Sequence, residues 1–318
     1  MPVDLSSLPK IRDSVAFLYI EHAVIEQDNF SIVLIRTDGK VPVPIKAFTC
    51  LLLGPGTSIT HAAIQSITKA GCSVVWCGEN CRKFYAFGEG ETRKSSRLLH
   101  QAAAWADHET HMKVVKAMYL KRFPDVNYDG LTLQQLRGLE GVRVKATYSE
   151  LSKLTGVQWY GRHCETAKIS SQDIVNQALT LANDYLYAVC EAVIRSMGYS
   201  CALGFIHTGN MRSFVFDIAD LYKTEVSIPA AFEVASKRGV VKLSEKVRME
   251  CQKRIHSERI LKRMADDLSD LFGDIAPDDV YFVDVNELWD KKEYVIGSKN
   301  YAALYGAEKN DEEENSEW

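Results

Sequence analysis

Hydrophobic and polar positions change their period once along this chain. From Ser14 to Phe87 the apolar residues fall in short runs, SVAFLYIEHAVIE, FSIVLIRTDG, VPVPIKAFTCLLLG, CSVVWCGE and RKFYAFG, rich in Val, Ile, Phe and Tyr. Turn signals at Asp38-Gly39 and Gly54-Pro55-Gly56 separate them, so the region predicts strands. Within it THAAIQSITKAG has helical spacing and predicts one helix of about three turns. After the polar stretch GEGETRKSS, residues 88–96, apolar positions recur every three or four residues. Residues 97–122, 131–155 and 172–197 each predict an amphipathic helix, and 243–272 a fourth, basic in its first half and acidic in its second. The expected fold class is α+β: an N-terminal β-sandwich domain over 1–88, a linker over 89–96, and a larger all-helical domain over 97–277. Ala276-Pro277-Asp278-Asp279 ends the last helix. Beyond it, 278–318 reads as an isolated strand, VYFVDV, and an acidic tail expected to be disordered.

Composition narrows the function classes. No apolar run approaches the roughly 20 residues that cross a bilayer, which excludes a membrane-spanning reading. MPVDLSSLPK lacks the basic and apolar regions of a secretory signal, and eight irregularly spaced cysteines read as reduced thiols, so the expected location is the cytoplasm. The formal charge of −4 hides an asymmetry: residues 265–318 carry a net −12 and residues 1–264 a net +8. A basic body suits a polyanionic partner.

The clearest chemical cluster is GFIHTGNMRSFVFDIADLYK, residues 204–223. His207 precedes the turn Thr208-Gly209-Asn210. Asp217 and Asp220 follow, three apart on a largely apolar helical stretch, which places both carboxylates on one face. Two carboxylates there repel unless a cation neutralises them; the plainer alternative is a solvated stripe capped by Lys223 with a core histidine. A second anomaly is LRGLEGVRVKATY, where Gly138 and Gly141 stand in a predicted helix interior at about 1 kcal/mol each relative to Ala. Two readings stand for it: close approach of a backbone or phosphate near Glu140, Arg137, Arg143 and Lys145, or a helix crossing with Arg137–Glu140–Arg143 surface pairs. His108 and His111 read as a solvated helix face. Cys72, Cys77 and Cys81 lack the paired spacing of a zinc site. No P-loop, G-x-G-x-x-G or G-x-S-x-G is present.

These segments together resemble the CRISPR-associated integrase family, the catalytic subunit that inserts new spacers into the repeat array. QLRGLEGVRVKATY, VNQAL followed by YLYAV, GFIHTGNMRSFVFDIADLYK and PGTSITHAA stand in family order and spacing from about residue 12 to about residue 265, closest to the Cascade-linked type I branch. The resemblance implies a homodimer, and a hetero-hexamer of two such dimers bridged by a small ferredoxin-like adaptation partner. It implies Glu140, His207 and Asp220 as ligands of one Mg²⁺ or Mn²⁺ ion, with Asp217 a nearby carboxylate in the catalytic set, acting on double-stranded DNA with 3′ ends. Lys223, Arg248, Tyr187, Arg137 and Arg143 would contact DNA, and His22 stands where relatives carry an aromatic wedge. Ser58, Gln65 and Asn210 replace basic family positions, and Cys164 and Ile169 replace two aromatics. The strand Val280 to Val285 is expected to add to the partner or another subunit. Two other readings remain: a structure-specific endonuclease on branched DNA, and a non-catalytic DNA-binding scaffold.

Overall fold

The computed structural model describes residues 17–29, 31–79, 84–88, 95–123, 131–162, 173–237 and 239–272, together with the backbone of 287–290 and 293–296. Contacts group the chain into two compact units, one through Asp274 and one from Ile275 onward.

The N-terminal strands form two four-stranded sheets, as the run of short apolar segments predicts. In the first, β1 (Phe17–Ile20), β5 (Cys50–Leu53) and β7 (Ser73–Cys77) run parallel, and β8 (Phe84–Gly88) closes the edge antiparallel. In the second, β2 (Val24–Asp28), β3 (Ser31–Arg36) and β4 (Gly39–Val43) form an antiparallel meander, with the short β6 (Ser58–Ile59) parallel to β2. Helix α1 (His61–Lys69) starts at Thr60, whose side chain accepts the Ala63 amide, and buries Ala63 and Ile67.

Sequence CLLL in β5 is apolar throughout because both of its faces are covered. Leu51 and Leu53 join Ile20, Ile25, Ile32, Ile67 and Val74 in one core, while Cys50 and Leu52, with Val75 and Cys77, belong to the core of the helices. The strand-rich and helical parts therefore share a hydrophobic core. Most of the expected linker, 89–94, lies outside the described residues, as do Cys81, Cys164, Ile169 and the strand Val280 to Val285. In the unit after Asp274, β9 (Glu287–Asp290) and β10 (Glu293–Ile296) pair antiparallel.

The helical part centres on α5 (Ile174–Ser196), apolar nearly all round and packed by α6 (Ser213–Asp220), α7 (Ser227–Ala235) and α8 (Leu243–Ser257). Helix α4 (Leu133–Thr155) matches its prediction: Thr132 and Gln135 form a reciprocal cap at its start, and Gly156 at φ +71° ends it. Two expected single helices are each broken in two. Residues 97–122 divide into α2 (Ser96–Ala106) and α3 (His108–Arg122), because the extended Asp107 accepts the Thr110 amide at 2.8 Å and its hydroxyl at 2.6 Å, starting a new helix. Residues 243–272 divide into α8 and α9 (Ile260–Phe272) at Arg259, whose φ of +50° no helix continues through. Among the described residues no helix is long and apolar enough to cross a membrane.

Candidate active site

The segment 200–212 turns between α5 and α6 and carries His207 at its bend. Gly204 is required there, since a Cβ would overlap the His207 carbonyl and Ser213. Asp217 sits one turn into α6 with its side chain fully buried. One oxygen accepts the amides of Phe205 at 2.6 Å and Ile206 at 3.1 Å; the other accepts the His207 amide at 2.8 Å and His207 Nδ1 at 2.7 Å. A carboxylate only accepts, so Nδ1 carries the proton in this contact. The hydrogen bond to Asp217 raises the His207 pKa above 6.5; burial opposes the rise and the charge of Asp220 adds to it.

The two carboxylates expected to act together therefore differ in role. Asp217 is spent on the loop and holds His207. Asp220 closes α6 and meets two cations, Lys223 Nζ at 2.6 Å and Arg122 at 3.7 Å. These supply the neutralisation that the sequence demanded. Burial opposes the charge on Lys223, yet attraction to Asp220 and then Tyr187 outweighs it and raises the pKa of the lysine.

Arg122, in the last turn of α3, is the residue that sequence reasoning missed. Its side chain is 6% exposed and its second contact is Glu140 of α4 at 2.5 Å, so one guanidinium joins Glu140 to Asp220. Its Nη1 is buried without a hydrogen-bond acceptor. Tyr119, one turn earlier, has its hydroxyl pushed up by burial and then by the charge of Glu140. No local pattern marks Arg122, because KRF at a helix end is an ordinary surface sequence.

The donor types suit a hard divalent ion: two carboxylates, and an imidazole whose inner nitrogen is held by a carboxylate. The Arg122 Nη1 donor left without an acceptor would suit a phosphate oxygen rather than a cation. Glu140 and Asp220 are separated by Arg122, however, and among the described residues no three His, Cys, Asp or Glu side chains converge closely enough to hold an ion as they stand.

Against known proteins, residues 119–255 match the family described as CRISPR associated protein Cas1. A CRISPR-associated endonuclease Cas1 of Thermus thermophilus is 45% identical over 269 residues, covering 85% of this chain and 82% of that relative. The chain belongs to the Cas1 family. The Escherichia coli K12 Cas1 endonuclease is 35% identical over 276 residues, 86% of this chain and 90% of its own length. A crystal structure of a TtCas1–DNA complex superimposes with a TM-score of 0.70 at 47% identity, covering 83% of this chain and 99% of that one.

On this Cas1 scaffold the remaining candidates distribute unevenly. Tyr187 of α5 is half-buried beside the site: Lys223 Nζ lies 5.1 Å and the Arg212 guanidinium 5.7 Å from its ring centre, and Phe216 packs edge-on at 5.1 Å. Phe216 also packs edge-on against the His207 ring at 5.9 Å. Arg212, not singled out by the sequence, is anchored at 3.2 Å by Glu191, a buried carboxylate of α5. Arg248 of α8 lies over the Tyr19 ring of β1 at 5.2 Å. His22 is exposed, with φ +50° and its amide donated to Pro55 at 3.0 Å. Ser58, Gln65 and Asn210 are exposed. His111, expected on a solvated face, instead places its ring nitrogens 3.0 Å from the Trp105 carbonyl and 2.9 Å from the Phe205 carbonyl.

Of the two readings of the Gly138–Gly141 turn, the helix crossing does not hold among the described residues: a Cβ at either glycine meets nothing within 4 Å, and the space over both is open. The expected Arg137–Glu140–Arg143 ladder is replaced: Glu140 pairs with Arg122, Arg143 stacks on Phe123 at 4.7 Å, and Arg137 is exposed. Gly138→Ala and Gly141→Ala are each expected to stabilise the free protein by about 1 kcal/mol in chemical denaturation. Destabilisation by either would reveal a packed neighbour.

Proposed function

We propose that this chain is a metal-dependent DNA integrase of CRISPR adaptation, joining the 3′-hydroxyl ends of a captured DNA fragment into the repeat array. The observation that carries this reading is His207 held through Nδ1 by the buried Asp217, one turn of α6 from Asp220, which Arg122 joins to Glu140. Membership of a family whose relatives are named endonucleases, one with a structure in complex with DNA, supports DNA as the substrate. The assembly that fits is a homodimer, paired through a small ferredoxin-like adaptation partner into a hetero-hexamer in the cytoplasm.

Glu140, His207 and Asp220 would hold Mg²⁺ or Mn²⁺, which supplies Lewis acidity toward a phosphoryl oxygen when bound. The chain's own residues do the rest. Asp217 keeps the proton on Nδ1 and the ligating lone pair on Nε2. Arg122 and Lys223 hold the carboxylates against their mutual repulsion, and Lys223, Arg212 and the Tyr187 ring form a cationic, aromatic border suited to a DNA backbone. In the reaction one phosphodiester replaces another: the attacking 3′-oxygen loses its proton and bonds to phosphorus, and the displaced 3′-oxygen leaves and is protonated. No nucleotide hydrolysis is needed.

A strand-transfer assay tests this, with the adaptation partner, a labelled duplex bearing free 3′-hydroxyls, a repeat-bearing plasmid and Mn²⁺ or Mg²⁺. Covalent label in the plasmid is expected, abolished by chelator and reduced on the order of 10²-fold or more by His207→Ala or Asp220→Ala. Cleavage of branched DNA without transfer would replace this reading with the endonuclease; binding without either reaction would replace it with the scaffold.

A further inference from the structure

The backbone that presents His207 is gripped by two sets of side chains, and only one grip belongs to α6. There Asp217 collects the amides of Phe205, Ile206 and His207. The carbonyls of the same stretch are collected by side chains of α2 and α3. Gln101, fully buried, donates from Nε2 to the carbonyls of Ser200 at 3.0 Å and Leu203 at 3.1 Å, and accepts the Ser200 amide at 2.7 Å. Trp105 donates from Nε1 to the Gly204 carbonyl at 3.0 Å. His111 reaches the Phe205 carbonyl at 2.9 Å and packs its ring 4.9 Å from that of Phe205. Leu203, Gly204 and Phe205 thus give up three consecutive carbonyls to three side chains from residues about a hundred positions away.

We infer that Gln101, Trp105 and His111 are positioning residues that set the backbone of 203–207 and so aim His207, an inference that rests on the integrase reading for its functional consequence. Gln101 and Trp105 are four apart on α2 and share a face. His111 reaches the same loop from α3 only because the chain breaks at Asp107. Its Nδ1 lies 3.0 Å from the Trp105 carbonyl, beside that break. A carbonyl only accepts and a neutral imidazole carries one N–H, so the ring grips the Phe205 carbonyl in the tautomer with its proton on Nε2. Ordinary packing needs apolar contact at these positions; three directed donors on successive carbonyls define where the loop lies along its length and which way its amides face. Asp217 receives those amides, so the pointing of the imidazole depends on both grips. Supporting groups behind a metal ligand of this kind typically change metal affinity or activity about 10- to 100-fold when removed.

The test uses full-length Trp105→Phe and His111→Phe, which keep aromatic bulk and lose the donor, and His111→Gln, whose amide restores a donor at the reach of Nε2. Amide exchange is measured on the metal-free protein, and Mn²⁺ affinity by calorimetry. Both phenylalanine variants are expected to exchange the amides of residues 205–207 at least about tenfold faster, with α5 amides unchanged, and to bind Mn²⁺ about tenfold more weakly. His111→Gln is expected to restore both values, and the KM for DNA is expected to stay constant. Exchange at 205–207 equal to wild type, or raised to the same extent throughout the helical core, would overturn the inference. Because exchange is read without metal or DNA, a wild-type protein that failed to bind Mn²⁺ or transfer DNA would overturn the integrase reading and leave the loop grip judged on its own measurement.

Discussion

Asp217→Ala is expected to destabilise the protein by about 3–5 kcal/mol, whereas Asp220→Ala, three residues on, is expected to leave a folded but inactive protein. Asp217 is fully buried and accepts four hydrogen bonds, three from amides of the His207 loop and one from the imidazole. Each buried donor left without an acceptor costs about 1–3 kcal/mol, less where the loop moves to find water. Asp220 lies at a helix end among Lys223 and Arg122, so its loss removes charge pairing but strands no amide.

A subtler substitution, Asp217→Asn, preserves shape and one acceptor oxygen, but removes the charge and sets an NH2 donor against two of the four N–H groups. The Asp217 bond raises the His207 pKa in the folded state, so this pair stabilises the fold fully below the unfolded value of about 6.5 and loses that contribution as pH rises through the folded value. The stability gap between wild type and Asp217→Asn is therefore expected to narrow with rising pH, and the His207 ring signal to titrate lower in the variant. An unchanged His207 titration would show that Asp217 does not hold the imidazole.

Arg122→Met is expected to cost about 3–5 kcal/mol without metal, the usual consequence of removing one partner from a buried ion pair. The guanidinium is 6% exposed and is the link between Glu140 and Asp220. Lys223 still covers one oxygen of Asp220. Glu140 loses its short ion pair, so in the variant a divalent ion gains a carboxylate that no longer exchanges a cation for it. Mn²⁺ is then expected to raise the melting temperature more in Arg122→Met than in wild type, since stabilisation by a ligand grows as its concentration exceeds Kd, to about 2.7 kcal/mol at a hundredfold excess. Equal Mn²⁺ shifts in the two proteins would argue that Glu140 and Asp220 do not share an ion. An unaltered melting temperature without metal would argue that Arg122 does not join them.

Helices α1, α4 and α5 were legible from the chain because their apolar spacing is local, and the structure adds that Thr60, Thr132 and Asp173 each cap a helix through an amide three residues away. His207 and Asp220 were legible for a related reason, since a turn signal and two charges in an apolar helix stand out within a few residues. The break at Asp107 was written just as locally, in Asp107 and Thr110, but the continuing apolar period of α2 and α3 masked it.

The amino-acid sequence by itself determined where most elements lie, the change from strand-rich to helical structure, and the family. Packing between distant segments is what makes β1, β5 and β7 run parallel and share a core with the helices, sets Asp217 on the loop while Asp220 faces cations, and joins Glu140 to Asp220 through Arg122. It also decided that His111 holds a carbonyl 94 positions away. The physical reason is range. Periodicity and capping act over a few residues and leave a trace in the order of amino acids; a buried ion pair or a donor aimed at a distant carbonyl exists only once separate helices have packed, and any Arg, Trp or His looks the same in the chain until then.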